Sequence, residues 1–373
     1  MLIGVPKETK VHEYRVGLTP ESVRELIAHG HRVAVEAGAG AGIGATDADY
    51  RAAGAAIAGT ANEVFADAEL IVKVKEPLAP ERGRLRAGQA LFTYLHLAPN
   101  ADQTRDLVKS GVIAIAYETV TGPAPIRLPL LAPMSVVAGR MAIQVAAHYL
   151  ERPQGGRGIL ISGAGGVPPA NVVVLGAGVV GSNAAQVAVG IGAEVIVLNR
   201  SIEPLQRLSS ALGARLKTMI SSPSAVAEQL RDADAVIGAA LVPGARTPKL
   251  VTRAMLGRMK PGAVIVDVSI DQGGCFETSR PTNHADPVYT VDGVVHYCVA
   301  NMPGAVPRTS TYALNHATLP FVLELADRGL IPALRQNEHL RNGLNVYCGK
   351  VTRREVAEAC GCPYTNPADA LGE

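Results

Sequence analysis

Residues 172–181 read Val172-Val173-Val174-Leu175-Gly176-Ala177-Gly178-Val179-Val180-Gly181. The apolar run predicts a buried strand, the three glycines predict a tight turn, and residues 182–190 have the spacing of a helix. A dinucleotide pyrophosphate requires this order of elements. Two glycines let the main chain turn and approach the phosphates, and the third lets helix and strand pack closely. Because both flanking elements are present, the sequence predicts a Rossmann dinucleotide-binding domain.

The residue expected to read the adenosine ribose is an amide. Asn199 ends the next predicted strand, 18 residues after Gly181. A carboxylate normally stands at this place in an NAD site. The Asn199 amide has no charge to repel a 2′-phosphate, and Arg200 adds a guanidinium, which pairs well with phosphate. We predict NAD as the cofactor, with NADP left open because of Asn199-Arg200.

Short Val/Ile-rich runs alternate with helical patterns on both sides of the glycine motif. This alternation is typical of βαβ units with a parallel sheet. A chain of 373 residues is also too long for one ordinary core. We predict an α/β fold with two doubly wound parallel-sheet domains, the second a Rossmann domain. Further strands are predicted over residues 2–5, 32–36, 70–75, 90–95, 112–117, 235–238, 263–268 and 294–299.

Two predicted helices set the domain boundaries. Ser135 is expected to cap a helix that runs to about residue 151 and leads into the Rossmann domain. A second helix, beginning near residues 309–311, is expected to return the chain to the first domain. We therefore predict a dinucleotide-binding domain over 135–307 and a discontinuous substrate domain over 1–134 and 308–373.

The composition argues against several classes of partner. With 35 basic and 33 acidic residues the net charge is only +2, which provides no surface for nucleic acid or anionic lipid. The most apolar stretch, 171–193, is interrupted by glycines and is not expected to span a membrane. Five scattered cysteines argue against disulfides, and the close pair Cys360 and Cys362 has no second pair with which to hold zinc. We expect a cytoplasmic protein without a metal site.

Basic side chains follow the strands of the first domain. Lys75 closes the strand predicted over 70–75, and His96 follows the one predicted over 90–95. Ligands of parallel α/β sheets bind beyond the carboxyl ends of the strands, so both side chains can converge on one small anion. Arg15, in the loop after the first strand, can complete the group with a bidentate grip on a carboxylate. The alternative is that the histidine and lysine are ordinary solvated residues.

Two polar residues of the second domain occupy comparable places. Asp271 follows the strand predicted over 263–268, and Asn301 follows the strand predicted over 294–299. An aspartate beside glycines is also a common turn residue, and that alternative stays open. The functional interpretation places Asp271 in the interdomain cleft, near the nicotinamide and facing His96, with Asn301 at the same end of the cofactor.

These residues lie in motifs that resemble the alanine dehydrogenase family, which shares its fold with the dinucleotide-binding subunit of proton-translocating transhydrogenase. The likeness extends almost from end to end. The motifs that carry it are Gly4-Val5-Pro6-Lys7-Glu8, Glu13-Tyr14-Arg15-Val16, Val74-Lys75-Glu76-Pro77, Leu95-His96-Leu97-Ala98, Pro133-Met134-Ser135, Asp271-Gln272-Gly273-Gly274-Cys275 and Val299-Ala300-Asn301-Met302-Pro303.

The resemblance implies oxidation of L-alanine to pyruvate and ammonium, with Arg15 and Lys75 binding the substrate and His96 and Asp271 catalytic. It also implies a homo-oligomer, since the family usually forms hexamers. Besides the glycine turn and Asn199-Arg200, the residues expected to line the cofactor pocket are Ser135, Val179, Val180, Ser221, Ala240, Leu241, Val268, Ile270, Arg280, Val299, Asn301 and Met302.

The chain departs from the family pattern at the adenosine end. Family members commonly have aspartate where this chain has Asn199, and often a basic residue where it has Pro204. The transhydrogenase subunit typically has glutamate in place of Asp271 and lacks the lysine and histidine pair, which argues against that activity. Two further functions stay open on the sequence, a dehydrogenase of another small 2-amino or 2-oxo acid and a non-catalytic NAD(H)-binding protein.

Overall fold

The computed structural model describes residues 1–124, 126–240 and 247–372. Strands and helices alternate through the first part of the chain. The elements are β1 (Leu2–Val5), α1 (Pro20–Ala28), β2 (Arg32–Glu36), α2 (Asp47–Ala52), β3 (Ala56–Ala58), α3 (Ala61–Asp67), β4 (Leu70–Val72), α4 (Ala79–Arg82), β5 (Ala90–Thr93), α5 (Ala101–Ser110) and β6 (Ile113–Ala116).

The same alternation continues through the middle of the chain. Its elements are α6 (Ala132–Tyr149), β7 (Asn171–Leu175), α7 (Val179–Gly190), β8 (Glu194–Asn199), α8 (Ile202–Leu212), β9 (Lys217–Ile220), α9 (Pro223–Asp232), β10 (Ala235–Gly238), α10 (Arg253–Leu256), β11 (Val264–Asp267), β12 (Val288–Val291) and β13 (Val294–Tyr297).

The last part is mainly helical and ends in a short hairpin and two short helices. Its elements are α11 (Pro307–Arg328), α12 (Leu330–Gln336), α13 (Glu338–Arg341), β14 (Leu344–Tyr347), β15 (Lys350–Val351), α14 (Arg354–Cys360) and α15 (Pro367–Leu371). The chain divides into two compact units, one made of Met1–Met134 with Gly304–Glu373 and the other of Ser135–Pro303.

The sheet of the first unit has the strand order β15-β14-β6-β5-β4-β1-β2-β3. β1 to β6 are parallel, whereas β14 pairs antiparallel with β6. Every residue of β4, β5 and β6 is buried, as expected for parallel strands covered by helices on both faces. Each large apolar side chain buried there stabilises the unit by about 1.5–3 kcal/mol.

The sheet of the second unit has the order β12-β13-β11-β10-β7-β8-β9, and β12 is antiparallel to β13. If its parallel strands are numbered in chain order, their spatial order is 3-2-1-4-5-6, which is the order of dinucleotide-binding Rossmann sheets. The parallel strands of the first unit follow the same order. The prediction of an α/β fold with two doubly wound sheets, the second of Rossmann type, is therefore confirmed.

Several predicted boundaries were wrong. The strand predicted over 70–75 ends at Val72, and the one predicted over 90–95 ends at Thr93. Helix α6 begins at Ala132, so Ser135 lies in its first turn and is not its N-cap. Among the described residues, no helix combines the length and hydropathy needed to cross a bilayer.

Candidate functional site

In both sheets the strand order reverses between the first and fourth parallel strands. In the first unit β1 lies beside β4, and in the second β7 lies beside β10. Ligands of open α/β sheets bind beyond the carboxyl ends of the strands at such a switch point. The segments that follow β1, β4 and β5 hold Arg15, Lys75 and His96, and the segment that follows β7 is the glycine turn.

Arg15 is buried, with only 2% of its surface exposed. Its Nε and Nη2 atoms each donate to a carboxylate oxygen of Glu13 at 2.6 Å, and Nη1 donates to Met134 Sδ at 3.1 Å. Burial alone would lower the pKa of the guanidinium, but the hydrogen bonds and charge of Glu13 outweigh it and raise the pKa. The bidentate edge expected to hold a substrate carboxylate therefore already holds Glu13.

Lys75 is partly buried, and a buried carboxylate holds its main chain. Glu8 Oε1 accepts the amide hydrogens of Val74 at 2.7 Å and Lys75 at 3.2 Å. The Thr93 hydroxyl donates to the Lys75 carbonyl oxygen at 2.9 Å. The segment after β4 is thereby tied both to the loop after β1 and to the end of β5.

A buried lysine neutralises this carboxylate. Lys73 Nζ lies 3.1 Å from Glu8 Oε2 and 2.7 Å from Glu81 Oε1, and its side chain is fully buried. Burial would lower the pKa of Lys73, but the two glutamates outweigh it and raise the pKa. Burial also raises the pKa of Glu8, although Lys73 opposes that effect. Removing Lys73 would leave two buried carboxylates without a compensating cation.

His96 has an unusual main-chain conformation. Its φ is 48°, in the left-handed region that non-glycine residues seldom adopt. Glu118 holds this conformation, since its carboxylate accepts the amide hydrogens of His96 at 2.6 Å and Leu95 at 3.2 Å. The imidazole stacks on Tyr94 at 5.8 Å between ring centroids and is 47% exposed. Strained main chain of this kind occurs preferentially at functional sites.

The glycine turn has the geometry that its sequence predicts. α7 begins at Val179, directly after Gly178, and this N-cap residue has no side chain to cap the helix. A Cβ on Gly181 would lie 1.8 Å from the Gly176 carbonyl oxygen, so only glycine permits this helix-to-strand approach. A Cβ on Gly178 would meet no described atom within 4 Å. Protein packing thus explains Gly181, whereas it does not require glycine at position 178.

Asn199 ends β8 beside this turn. Its Oδ1 accepts the Ala177 amide hydrogen at 3.1 Å, and its Nδ2 donates to the Ser201 carbonyl oxygen at 2.9 Å. Arg200 is exposed directly after it. The Ser221 amide donates to the Asn199 carbonyl oxygen at 2.9 Å, which brings the segment after β9 to the same place.

Other predicted cofactor residues lie around the same sheet edge. In α6 a Cβ on Gly139 would lie 2.2 Å from the Val180 carbonyl oxygen, so this part of α6 packs against the start of α7. Ser135 lies one helical turn before Gly139. Ala240 follows β10, and its carbonyl oxygen accepts the Ser269 hydroxyl at 2.6 Å. Leu241 lies outside the described residues.

The segments after β11 and β13 complete this edge. Val268, Ile270 and Asp271 lie in a short 3-10 helix that directly follows β11, and Asp271 is exposed. After β13, Val299 and Met302 are buried, and Asn301 has a φ of 63°. The Arg280 guanidinium lies 4.1 Å from the centroid of the Tyr289 ring.

Sequence reasoning missed residues that hold the candidate groups in place. These are Glu8, Glu13, Glu118 and Asp267, and each accepts hydrogen bonds beyond the end of a strand. Glu118 had one available signal, because it follows β6 as His96 follows β5. Among the described residues, no group of three or more His, Cys, Asp or Glu side chains is arranged to hold a metal ion.

Models of the two domains of the alanine dehydrogenase/PNT family match the chain, the N-terminal domain over residues 4–138 and the C-terminal domain over 142–354. An alanine dehydrogenase of Halomonas elongata is 59% identical over 372 residues, which is 100% of both chains. A solved L-alanine dehydrogenase is 49% identical with a TM-score of 0.93, covering 96% of this chain and 99% of its own.

A solved transhydrogenase from Sinorhizobium meliloti is more distant. It is 28% identical with a TM-score of 0.81 and covers 95% of this chain and 99% of its own. The resemblance predicted from the motifs is confirmed, and membership implies a nicotinamide dinucleotide cofactor. The chain belongs to the alanine dehydrogenase/PNT family of oxidoreductases.

Proposed function

We propose that this protein is an L-alanine dehydrogenase. It would interconvert L-alanine, water and the oxidised dinucleotide with pyruvate, ammonium, the reduced dinucleotide and one proton. The full-length relatives support this activity, and so does the set of basic side chains at the switch point of the first unit. Pyruvate and alanine both present a carboxylate, for which the buried Arg15 and the partly buried Lys75 are suitable partners.

The observation that carries the proposal is the conformation of His96. Its left-handed main chain is held by Glu118, and its ring is stacked on Tyr94 yet remains half exposed. A strained main chain of this kind costs about 1–3 kcal/mol and occurs preferentially at functional sites. We propose that His96 is the general base, because imidazole is the side-chain group that most often transfers protons in enzymes.

Arg15 and Lys75 are proposed to bind the substrate. The Nη1 atom of Arg15 donates to the sulfur of Met134, which is a weak acceptor. A substrate carboxylate that replaced the sulfur would gain a charge-assisted hydrogen bond. Glu13 would then keep the guanidinium fixed, and Lys75 would bind the oxygen on Cα. Holding the substrate in this way supplies much of the rate through orientation.

In the direction of oxidation the proposed reaction releases one proton. A bound dinucleotide would supply the hydride acceptor for the alanine Cα, or the hydride donor in the reverse direction. His96 is proposed to take a proton from the water that adds to the substrate iminium and to pass it to the amino group of the resulting carbinolamine. The amino group then leaves as ammonia while His96 takes the hydroxyl proton, which gives pyruvate. Asp271 is proposed to orient this water or to stabilise the protonated imidazole.

The residues of the glycine turn fit a dinucleotide. The open space beside Gly178 leaves room for a pyrophosphate at the first turn of α7, where main-chain amides and the helix dipole favour an anion. We propose NAD as the cofactor. We propose that NADP is also accepted, because Asn199 is uncharged and Arg200 is exposed beside it.

The deciding assay follows NADH oxidation with pyruvate and ammonium, then repeats it with NADPH, glyoxylate and longer 2-oxo acids. Turnover that is highest with pyruvate supports the proposal, and faster turnover of another 2-oxo acid would replace the substrate. His96→Ala should abolish amination while NADH still quenches or shifts in fluorescence on binding. His148→Ala, which removes an exposed histidine of α6, is the matched control. Normal turnover by the His96 variant would remove this residue from the mechanism.

We further propose that the protein works in the cytoplasm as a homo-oligomer, a hexamer by the family resemblance. Small molecules are its proposed partners, with neither nucleic acid nor membrane involved. Light scattering of the purified protein tests the assembly, and a monomeric mass with full activity would contradict it.

A further inference from the structure

Asp271 is carried by a tight turn. β11 ends at Asp267, the 3-10 helix covers Val268–Gln272, and two glycines with φ of 92° and 73° follow. Asp271 itself is exposed, whereas Ile270 beside it is buried. Hydrogen bonds to the main chain of this turn help to fix its conformation.

One lysine makes three hydrogen bonds to this turn. Lys249 Nζ donates to the carbonyl oxygens of Gly273 at 2.6 Å, Gly274 at 3.0 Å and Phe276 at 3.0 Å. An ammonium has three N–H donors, so this set can use all of them. The acceptors follow the C-terminal end of a short helix, where carbonyl oxygens carry partial negative charge and attract a cation.

A carboxylate binds the same turn from within the sheet. Asp267 accepts the amide hydrogens of Ser269 at 3.1 Å and Cys275 at 2.9 Å, and the Ser279 hydroxyl at 2.6 Å. Gly274 packs directly against it, because a Cβ there would lie 2.4 Å from Asp267 Oδ2. The turn is thus held by an anion that accepts from its amides and by a cation that donates to its carbonyls.

The main chain around Lys249 is fixed to the same turn. The amides of Thr247 and Leu250 donate to the carbonyl oxygens of Gln272 at 3.0 Å and Cys275 at 2.7 Å. A parallel bridge joins Val251 to Phe276. The lysine is therefore presented from a segment that has a defined position relative to the turn, so its ammonium can transmit that position to the main chain around Asp271.

We infer that Lys249 is a positioning residue for Asp271, which rests on the catalytic role proposed above for that aspartate. Lys249 acts through the turn and does not touch the substrate, because its donors are directed to the turn's own carbonyl oxygens. Small displacements of a catalytic group lower turnover strongly, by about a hundredfold for 1 Å. Loss of the ammonium should therefore reduce kcat more than substrate or cofactor binding.

The test compares Lys249→Met with Lys260→Met. Lys260 is a matched control because its Nζ also donates to a main-chain carbonyl oxygen, that of Asp232, and to the Asp234 carboxylate. Both partners lie just before the start of β10. We expect Lys249→Met to lower kcat for pyruvate amination by about ten- to a hundredfold with KM for pyruvate little changed. Lys260→Met should keep the wild-type kcat. Lys249→Arg retains the positive charge and should have a kcat between those of Lys249→Met and the wild type. If Lys249→Met fails to fold, the kcat of Lys249→Arg tests the positioning role in its place.

Two further measurements separate this inference from the proposed function. Amide exchange at Gly273, Gly274 and Cys275 should become faster in Lys249→Met, and the kcat loss should disappear in an Asp271→Asn background. A wild-type kcat in Lys249→Met beside an impaired Asp271→Asn would overturn the inference alone. So would an equal kcat loss with and without Asp271. Full turnover by Asp271→Asn would refute the proposed catalytic role and this inference together.

Discussion

Glu8 Oε1 accepts the main-chain amide hydrogen of Lys75 at 3.2 Å, so a carboxylate from the loop after β1 fixes the residue proposed to bind the substrate oxygen. The same oxygen also accepts from Val74 at 2.7 Å. Both amides lie beyond the end of β4 at Val72 and bond this carboxylate. The position of Lys75 therefore depends on a residue 67 positions earlier in the chain.

Glu8→Gln is expected to raise KM for pyruvate about tenfold, with a smaller fall in kcat. The glutamine side chain keeps one oxygen that can accept from Val74 or Lys75. It removes the negative charge that faces Lys73, so the buried Lys73 ammonium keeps only the carboxylate of Glu81. The free energy of unfolding should fall by about 1–3 kcal/mol, the usual cost of a buried polar group without its partner. Steady-state kinetics and denaturant unfolding measure the two effects.

Glu36→Gln provides the control for this variant. Glu36 Oε2 also accepts a main-chain amide hydrogen, that of Lys7 at 2.8 Å, but it does so at the surface. Its replacement should leave KM for pyruvate unchanged. Equal KM values in wild type and Glu8→Gln would show that Glu8 stabilises the fold without positioning Lys75.

Glu118→Gln is expected to lower kcat about tenfold, because the strained main chain of His96 loses a charge-assisted acceptor. The matched control is Glu69→Gln. Glu69 also accepts a main-chain amide hydrogen, that of Leu2 at 2.8 Å, but at the amino end of the same sheet. Stopped-flow or steady-state amination rates measure the effect. Wild-type kcat in the Glu118 variant would show that the left-handed conformation of His96 does not depend on this carboxylate.

Local patterns predicted the elements whose causes are local. The glycine turn at 176–181 was identified correctly because three glycines and two flanking elements occur within about twenty residues. The cap of α1 is equally local, since the Thr19 hydroxyl accepts the Ser22 amide hydrogen. Such features need no knowledge of distant residues, since the chain segment supplies both partners.

Features that depend on distant partners were not predictable. The alternation from Leu70 to Lys75 indicates a strand, but Glu8 binds the last two amides. β14 and β15 were not predicted either, because the partner of β14 is β6, more than 200 residues earlier in the chain. Arg15 is an exception, because its bidentate edge holds Glu13, which is only two residues away and to which sequence reasoning gave no role.

Asp327→Asn is expected to lower stability at neutral pH by a small amount that disappears in acid. His31 Nε2 lies 2.7 Å and His29 Nδ1 3.0 Å from the Asp327 carboxylate, with Glu25 and the N-terminal amine beside the two rings. The hydrogen bond to His31 is the main cause that lowers the pKa of Asp327 below 3.8. A carboxylate whose pKa is lower in the folded state than in the unfolded state stabilises the folded protein at pH values above the unfolded-state pKa. This stabilisation is lost as the pH falls through the folded-state pKa.

The measurement is Tm of wild type and Asp327→Asn across a pH series. The difference should be about 2 °C near pH 7, because the group is exposed and screened by solvent. It should shrink as the pH falls below 3.8. A difference that grows in acid would contradict the assigned direction.

Asn199→Asp is expected to raise the preference for NAD over NADP. The new carboxylate can still accept the Ala177 amide hydrogen, as Asn199 Oδ1 does at 3.1 Å. In the wild type, Asn199 Nδ2 donates to the Ser201 carbonyl oxygen at 2.9 Å. The second oxygen of the aspartate cannot donate there and would be repelled, so it is expected to turn toward a ribose hydroxyl. The negative charge would repel a 2′-phosphate, so kcat/KM for NADPH should fall at least about tenfold while that for NADH rises or holds. Arg200→Ala should lower kcat/KM for NADPH alone, and unchanged cofactor ratios in both variants would place the preference elsewhere.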